Sequence, residues 1–109
     1  MSEPASGDGD CPEDRPRREG AIVRVLEIVN KKGLHARASA KFVQTAERFD
    51  AKVTVCRGGE TIGGTSIMGL MMLSAAPGTS ITVEVSGKQA AEAMDALVAL
   101  VTSGFGEED

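Results

Sequence analysis

Thr79 to Ser86 is the cleanest strand in the chain: Ile81, Val83 and Val85 are apolar and alternate with the polar Thr82, Glu84 and Ser86. Successive side chains of a strand point to opposite faces, so this period describes a β-strand with one packed face and one wet face. Such strands form an antiparallel sheet whose apolar side must be covered by another layer.

The rest of the chain supplies both layers. Residues 21–29 (AIVRVLEIV) are a β-branched run of strand length that ends at Asn30-Lys31-Lys32-Gly33. A helix is expected from about Ala36 to Phe49. Ala36, Ala40, Val43 and Ala46 recur on its apolar side with Phe42 and Phe49 flanking, while Arg37, Lys41, Gln44 and Arg48 are wet. Ala51 to Arg57 alternates again, Gly58-Gly59 signals a hairpin turn, and Glu60-Thr61-Ile62 is a short return strand. Ser66 is placed as the N-cap of a short apolar helix running to Leu73, and Pro77-Gly78 marks a turn. The last helix spans about Lys88 to Ser103, with Ala90, Met94, Leu97 and Val101 as its buried stripe and Gly104 at its stop. The order β-α-β-β-α-β-α makes the expected fold class an α/β (α+β) two-layer sandwich.

Residues 1–20 differ in texture. They hold six acids and three bases among Pro, Gly and Ser, too little apolar surface to offset the entropy of ordering, and are expected to be a disordered acidic extension. One domain is expected over 21–106, followed by an acidic end at 107–109. The extension takes −3 of the net charge of −4, which leaves a near-neutral domain. With three Phe and no Trp or Tyr, base stacking has little to work with, so no nucleic-acid partner is expected. Two cysteines without motif spacing, Cys11 and Cys56, build neither a disulfide framework nor a zinc site, and a reducing cytoplasm is the simplest setting. No apolar run approaches the ~18 residues of a membrane span, so no membrane insertion is expected.

The lone histidine, His35, stands in Gly33-Leu34-His35-Ala36-Arg37, where strand gives way to helix. A helix start offers unpaired N–H groups and the positive end of the helix dipole to an anion. Lys31 and Lys32 precede it, and Arg37 and Lys41 follow one turn apart. A neutral imidazole at such a corner can accept a phosphoryl group. The plainer reading is a helix cap or surface residue; a metal site lacks partner ligands at useful spacing, and no metal or cofactor is expected. No second acid–base group is visible near His35, which argues against a self-sufficient enzyme.

Ser66 has a sufficient explanation as an N-cap, and a modifiable hydroxyl is the functional alternative. A phosphate there would suit a helix N-terminus and bring about two negative charges beside Ile67, Met68, Met71 and Met72. The Gly-rich run from Arg57 to Thr65 lacks the GxxxxGK[ST] pattern, so nucleotide binding is unsupported.

Gly33-Leu34-His35-Ala36-Arg37, Lys41-Phe42-Val43, Ser66-Ile67-Met68-Gly69 with Met71 and Leu73, and Gly78-Thr79 together resemble HPr, the histidine-containing phosphocarrier family of the bacterial phosphoenolpyruvate-dependent phosphotransferase system. The resemblance covers about residues 21–106. It implies an open-faced sandwich of four antiparallel strands with three helices on one side. It further implies that His35 accepts a phosphoryl group on Nδ1 from phosphorylated Enzyme I and passes it to an Enzyme IIA domain, with Arg37 steadying the phosphate. Ser66 would be modified by HPr kinase/phosphorylase, and Ala40, Ile67, Met68 and Met71 fall where the family docks partners. A monomer serving sugar uptake or a regulatory branch of the system is expected, a carrier rather than an enzyme. Where the family usually has proline after the active-site arginine, this chain has Ala38. Alanine is a good helix former, so the helix is expected to survive with a looser first turn. A small-molecule-binding domain on a similar sandwich is the competing reading, resting on fold analogy alone.

Overall fold

The computed structural model describes residues 21–73 and 75–107; the 1–20 extension, Cys11 and residues 108–109 lie outside them. The elements are β1 (Ile22–Glu27), α1 (Ala36–Glu47), β2 (Lys52–Arg57), β3 (Glu60–Gly63), α2 (Ile67–Met72), β4 (Ser80–Ser86), α3 (Ala90–Thr102) and a 3₁₀ turn (Gly104–Gly106). The sheet order is β1-β4-β2-β3, and every pairing is antiparallel. The last strand thus lies inside the sheet, between β1 and β2. Its register sets Val83 opposite Arg24 on one side and opposite Val55 on the other.

Ile81, Val83 and Val85 of β4 are fully buried, and Val53 and Val55 of β2 join them. Phe42 and Val43 from α1, Leu70 from α2 and Met94, Leu97 and Val101 from α3 complete the core. Burying one such side chain is worth about 1.5–3 kcal/mol, so this shared layer is the main force closing the sandwich.

Three details depart from the sequence reading. Thr82, Glu84 and Ser86, expected on a wet face, are buried; on an inner strand they are hemmed in by a neighbouring strand on each side. The buried stripe of α1 is Ala38, Ser39, Phe42, Val43 and Ala46, while Ala36 is exposed and Ala40 only partly buried. Phe42 carries the largest apolar surface on the helix and turns its own face inward. Cys56 is disulfide-bonded, against the expectation of unpaired cysteines, and its partner lies outside the described residues.

The helices are also shorter than periodicity implies. α1 stops at Glu47 with Arg48 as its C-cap, and α3 begins at Ala90. Gln89 precedes α3 and ties it to the α1–β2 turn: its N–H donates to the Asp50 carbonyl at 2.9 Å, and its Oε1 accepts the Asp50 N–H at 2.7 Å. Among the described residues no helix is long and apolar enough to cross a membrane.

Candidate functional site

The segment between β1 and α1 decides where His35 stands. Asn30 is buried, at 2 % exposure, and its Nδ2 donates to the Gly33 carbonyl at 2.9 Å. The Gly33 N–H returns a bond to the Asn30 carbonyl at 3.2 Å. Gly33 has φ +64°, and a Cβ there would lie 2.3 Å from the carbonyl oxygen of Ala75. That same oxygen accepts the Leu34 N–H at 3.0 Å, which fastens the loop to the segment after α2. The chain then enters α1 with His35 as the N-cap (φ −80°, ψ −176°).

Both ring nitrogens of His35 are engaged. Nδ1 accepts the backbone N–H of Arg37 at 3.3 Å, and Nε2 lies 2.5 Å from Glu107 Oε2. An ionised carboxylate only accepts, so the proton is assigned to Nε2; Nδ1, which receives an N–H, keeps its lone pair. The two contacts therefore specify one tautomer, with the nucleophilic nitrogen at the first turn of the helix. The His35 side chain is 27 % exposed and Glu107 only 13 %.

Glu107 is braced in turn. Its Oε1 accepts from Asn30 Nδ2 at 3.0 Å. That bond, with a lesser pull from His35 and Lys41, holds the carboxyl below its ordinary range although desolvation works the other way. Lys41 Nζ donates to the carbonyl of Phe105 at 2.7 Å. The turn after α3 is thereby held across the front of α1.

An open depression results, lined by Lys32, His35, Ala36, Arg37, Lys41, Gly106 and Glu107. Three of the four expected cations line it; Lys31 does not. Arg37 is exposed, and it lines the depression with Ala36 at the start of α1, so a small tetrahedral anion at His35 would meet cationic charge at a helix N-terminus. Ala38 is fully buried, and the helix starts without proline as expected.

Glu107 is the residue that sequence reasoning missed. No second acid–base group is visible near His35 in the sequence, yet the structure places one against its ring. Gly104-Phe105-Gly106 signals a turn, but nothing in its pattern states where the turn leads.

Ser66 is the N-cap of α2 (φ −109°, ψ 106°) and accepts the Gly69 N–H on Oγ at 3.0 Å. It is exposed. Leu70 anchors α2 in the core, while Ile67 (40 % exposed), Met68 (71 %), Met71 (40 %) and Met72 (73 %) face outward. α2 packs beside α1, the helix that carries His35, Arg37 and the half-buried Ala40. Residues 57–60 turn the β2–β3 hairpin and form no phosphate loop.

Comparison with known proteins bears on this arrangement. The family model PTS-HPr, described as the PTS HPr component phosphorylation site, matches residues 22–103. Phosphocarrier protein HPr of Neisseria meningitidis serogroup A is 55% identical over 82 residues, 75% of this chain and 92% of that protein. Phosphocarrier protein HPr of Cupriavidus necator is 51% identical over 86 residues, 79% of this chain and 97% of that protein. Among solved structures, HPr-C-His from Thermoanaerobacter tengcongensis superposes with a TM-score of 0.77 at 41% identity, covering 81% of this chain and 99% of the other.

Proposed function

The chain belongs to the HPr family of phosphocarriers, and from that premise we propose that His35 Nδ1 is its phosphoryl acceptor. Membership makes the chain a carrier of the phosphotransferase system and not a catalyst in its own right. The observation that carries the assignment to Nδ1 is the pairing of contacts on the ring: a donated N–H at Nδ1 and a carboxylate at Nε2.

The Nδ1 lone pair attacks the phosphorus of a phosphohistidine on Enzyme I. The donor's P–N bond breaks as the new one forms, and its electron pair returns to the donor imidazole. The Arg37 N–H must leave Nδ1 for this, giving up a cap worth about 1 kcal/mol. It then donates to a phosphoryl oxygen beside the Arg37 guanidinium, where helix end and cation recover that loss. Transfer to an Enzyme IIA domain is the same displacement in the onward direction. Positioning and charge carry it, and no metal or cofactor is needed.

Ser66 is proposed as the regulatory site for HPr kinase/phosphorylase. A phosphate on its Oγ would set about two negative charges beside the exposed Ile67, Met68 and Met71. With Ala40, these residues form the proposed partner surface, so modification would weaken docking by charge and desolvation while the fold stays intact. The chain is proposed to act as a monomer in the cytoplasm, a setting in which the Cys56 disulfide would be reduced.

Intact mass after incubation with phosphoenolpyruvate and Enzyme I, beside His35→Ala, tests the assignment. The expected result is one acid-labile phosphate on the natural chain and none on the variant. Equal phosphorylation of both would refute it.

A further inference from the structure

We propose that Glu107 is a positioning residue for phosphoryl transfer, holding the proton on Nε2 of His35 through both halves of the relay. The inference rests on the reading of His35 as phosphoryl acceptor and adds the residue that decides which nitrogen of the ring is free to react.

The geometry supports this from three sides. Glu107 Oε2 lies 2.5 Å from Nε2 and is the acceptor that fixes the tautomer. Its other oxygen is held by Asn30 Nδ2 at 3.0 Å, and Asn30 is itself buried and bonded to the Gly33 carbonyl. The same asparagine therefore orients the carboxylate and shapes the loop that carries His35. Lys41 holds the carbonyl of Phe105 at 2.7 Å, which keeps the C-terminal turn in register with the ring. A histidine whose far nitrogen is bonded to a carboxylate has its tautomer and ring orientation set by that partner.

The chemistry gains on both steps. Before transfer, a proton confined to Nε2 leaves Nδ1 as the only nucleophilic nitrogen. After transfer the ring carries phosphorus on Nδ1 and hydrogen on Nε2, and is therefore positively charged. Lys32, Arg37 and Lys41 line the same depression and disfavour that charge, which the Glu107 carboxylate offsets. In the onward step the P–N electron pair returns to Nδ1 and the leaving group is neutral imidazole. Without the proton on Nε2 it would have to leave as an anion.

The test uses the full chain labelled with ¹⁵N at histidine. Long-range ¹H–¹⁵N correlation at alkaline pH should show the Nε2–H tautomer alone. Glu107→Ala should bring in the Nδ1–H form and slow phosphoryl acceptance by roughly tenfold, the scale of losses when a partner orienting a ligating histidine is removed. KM for phosphorylated Enzyme I should not move. Glu107→Gln keeps a carbonyl oxygen that can accept Nε2–H and should restore most of the tautomer preference. An unchanged tautomer in Glu107→Ala would overturn the proposal. So would a slower reaction that appears wholly as a raised KM, since that marks a role in docking. The tautomer is read without any phosphoryl donor, so failure of His35 to accept phosphate would leave this readout decisive by itself.

Discussion

Gly33→Ala is expected to destabilise the fold by about 3 kcal/mol, a large part of the 5–15 kcal/mol that holds a typical domain. Two costs add. Left-handed backbone costs an L-residue roughly 1–2 kcal/mol, and the new Cβ would stand 2.3 Å from the Ala75 carbonyl oxygen. Backbone meets backbone there, so no side-chain rotation relieves the overlap. Gly58 separates the two costs: it has a similar φ of +60° but nothing within 4 Å of its Cβ position. Gly58→Ala should therefore lose only the conformational part, about 1 kcal/mol. Urea unfolding of the two variants measures both. Equal losses would show that the Ala75 contact contributes nothing. The His35 cap bond to the Arg37 N–H should weaken in Gly33→Ala alone, because that loop and not the hairpin aims the imidazole.

Phe105→Ala is expected to cost about 3–4 kcal/mol, in the range for removing a buried aromatic ring. Phe105 is fully buried although it is the middle residue of a three-residue turn, and it holds an unfavourable φ of 60°. Alanine inherits the strained backbone without the ring that repays it. For a domain of this size the loss should lower Tm by roughly 12 °C or more. Detachment of the turn should also free Lys41 and withdraw Glu107 from His35, so the variant should show the mixed tautomer described for Glu107→Ala. A Tm within 3–4 °C of the natural chain, a loss under about 1 kcal/mol, would mean that the ring is not part of the core.

The strand pattern was the most legible part of the chain. The alternation over 80–86 identified β4 and its apolar face, and the hydrophobic spacing of α3 named Ala90, Met94, Leu97 and Val101, all of them buried. What alternation could not say is that β4 lies between β1 and β2. Strand order depends on crossovers between distant segments, and this is why Thr82, Glu84 and Ser86 were expected wet. On α1 the alanines at 36 and 40 carried as much weight in the periodicity as Phe42 did, but ring size outweighs methyl spacing when a helix chooses its buried face.

The site divides in the same way. His35 and Ser66 were legible because a histidine or serine at a helix start is a local feature, and both are N-caps. Glu107 was not, because it reaches His35 across 72 residues of chain. Its arrival depends on the length of α3, on the burial of Phe105 and on the bond from Lys41 to the Phe105 carbonyl, and the residues around position 107 do not by themselves state which distant partners they meet. Lys41 shows the converse. Sequence placed it correctly on the His35 side of α1, but only the structure gives it a backbone carbonyl as partner.

The most direct measurement is the position of the phosphorus on the ring. The chain, labelled with ¹⁵N at histidine, is phosphorylated by Enzyme I and phosphoenolpyruvate, and ¹⁵N–³¹P coupling is read by NMR. Coupling to Nδ1 of His35, with the proton remaining on Nε2, is the expected result. Phosphorus on Nε2 would contradict the account, because that nitrogen faces Glu107 and would have to break its bond to the carboxylate to react.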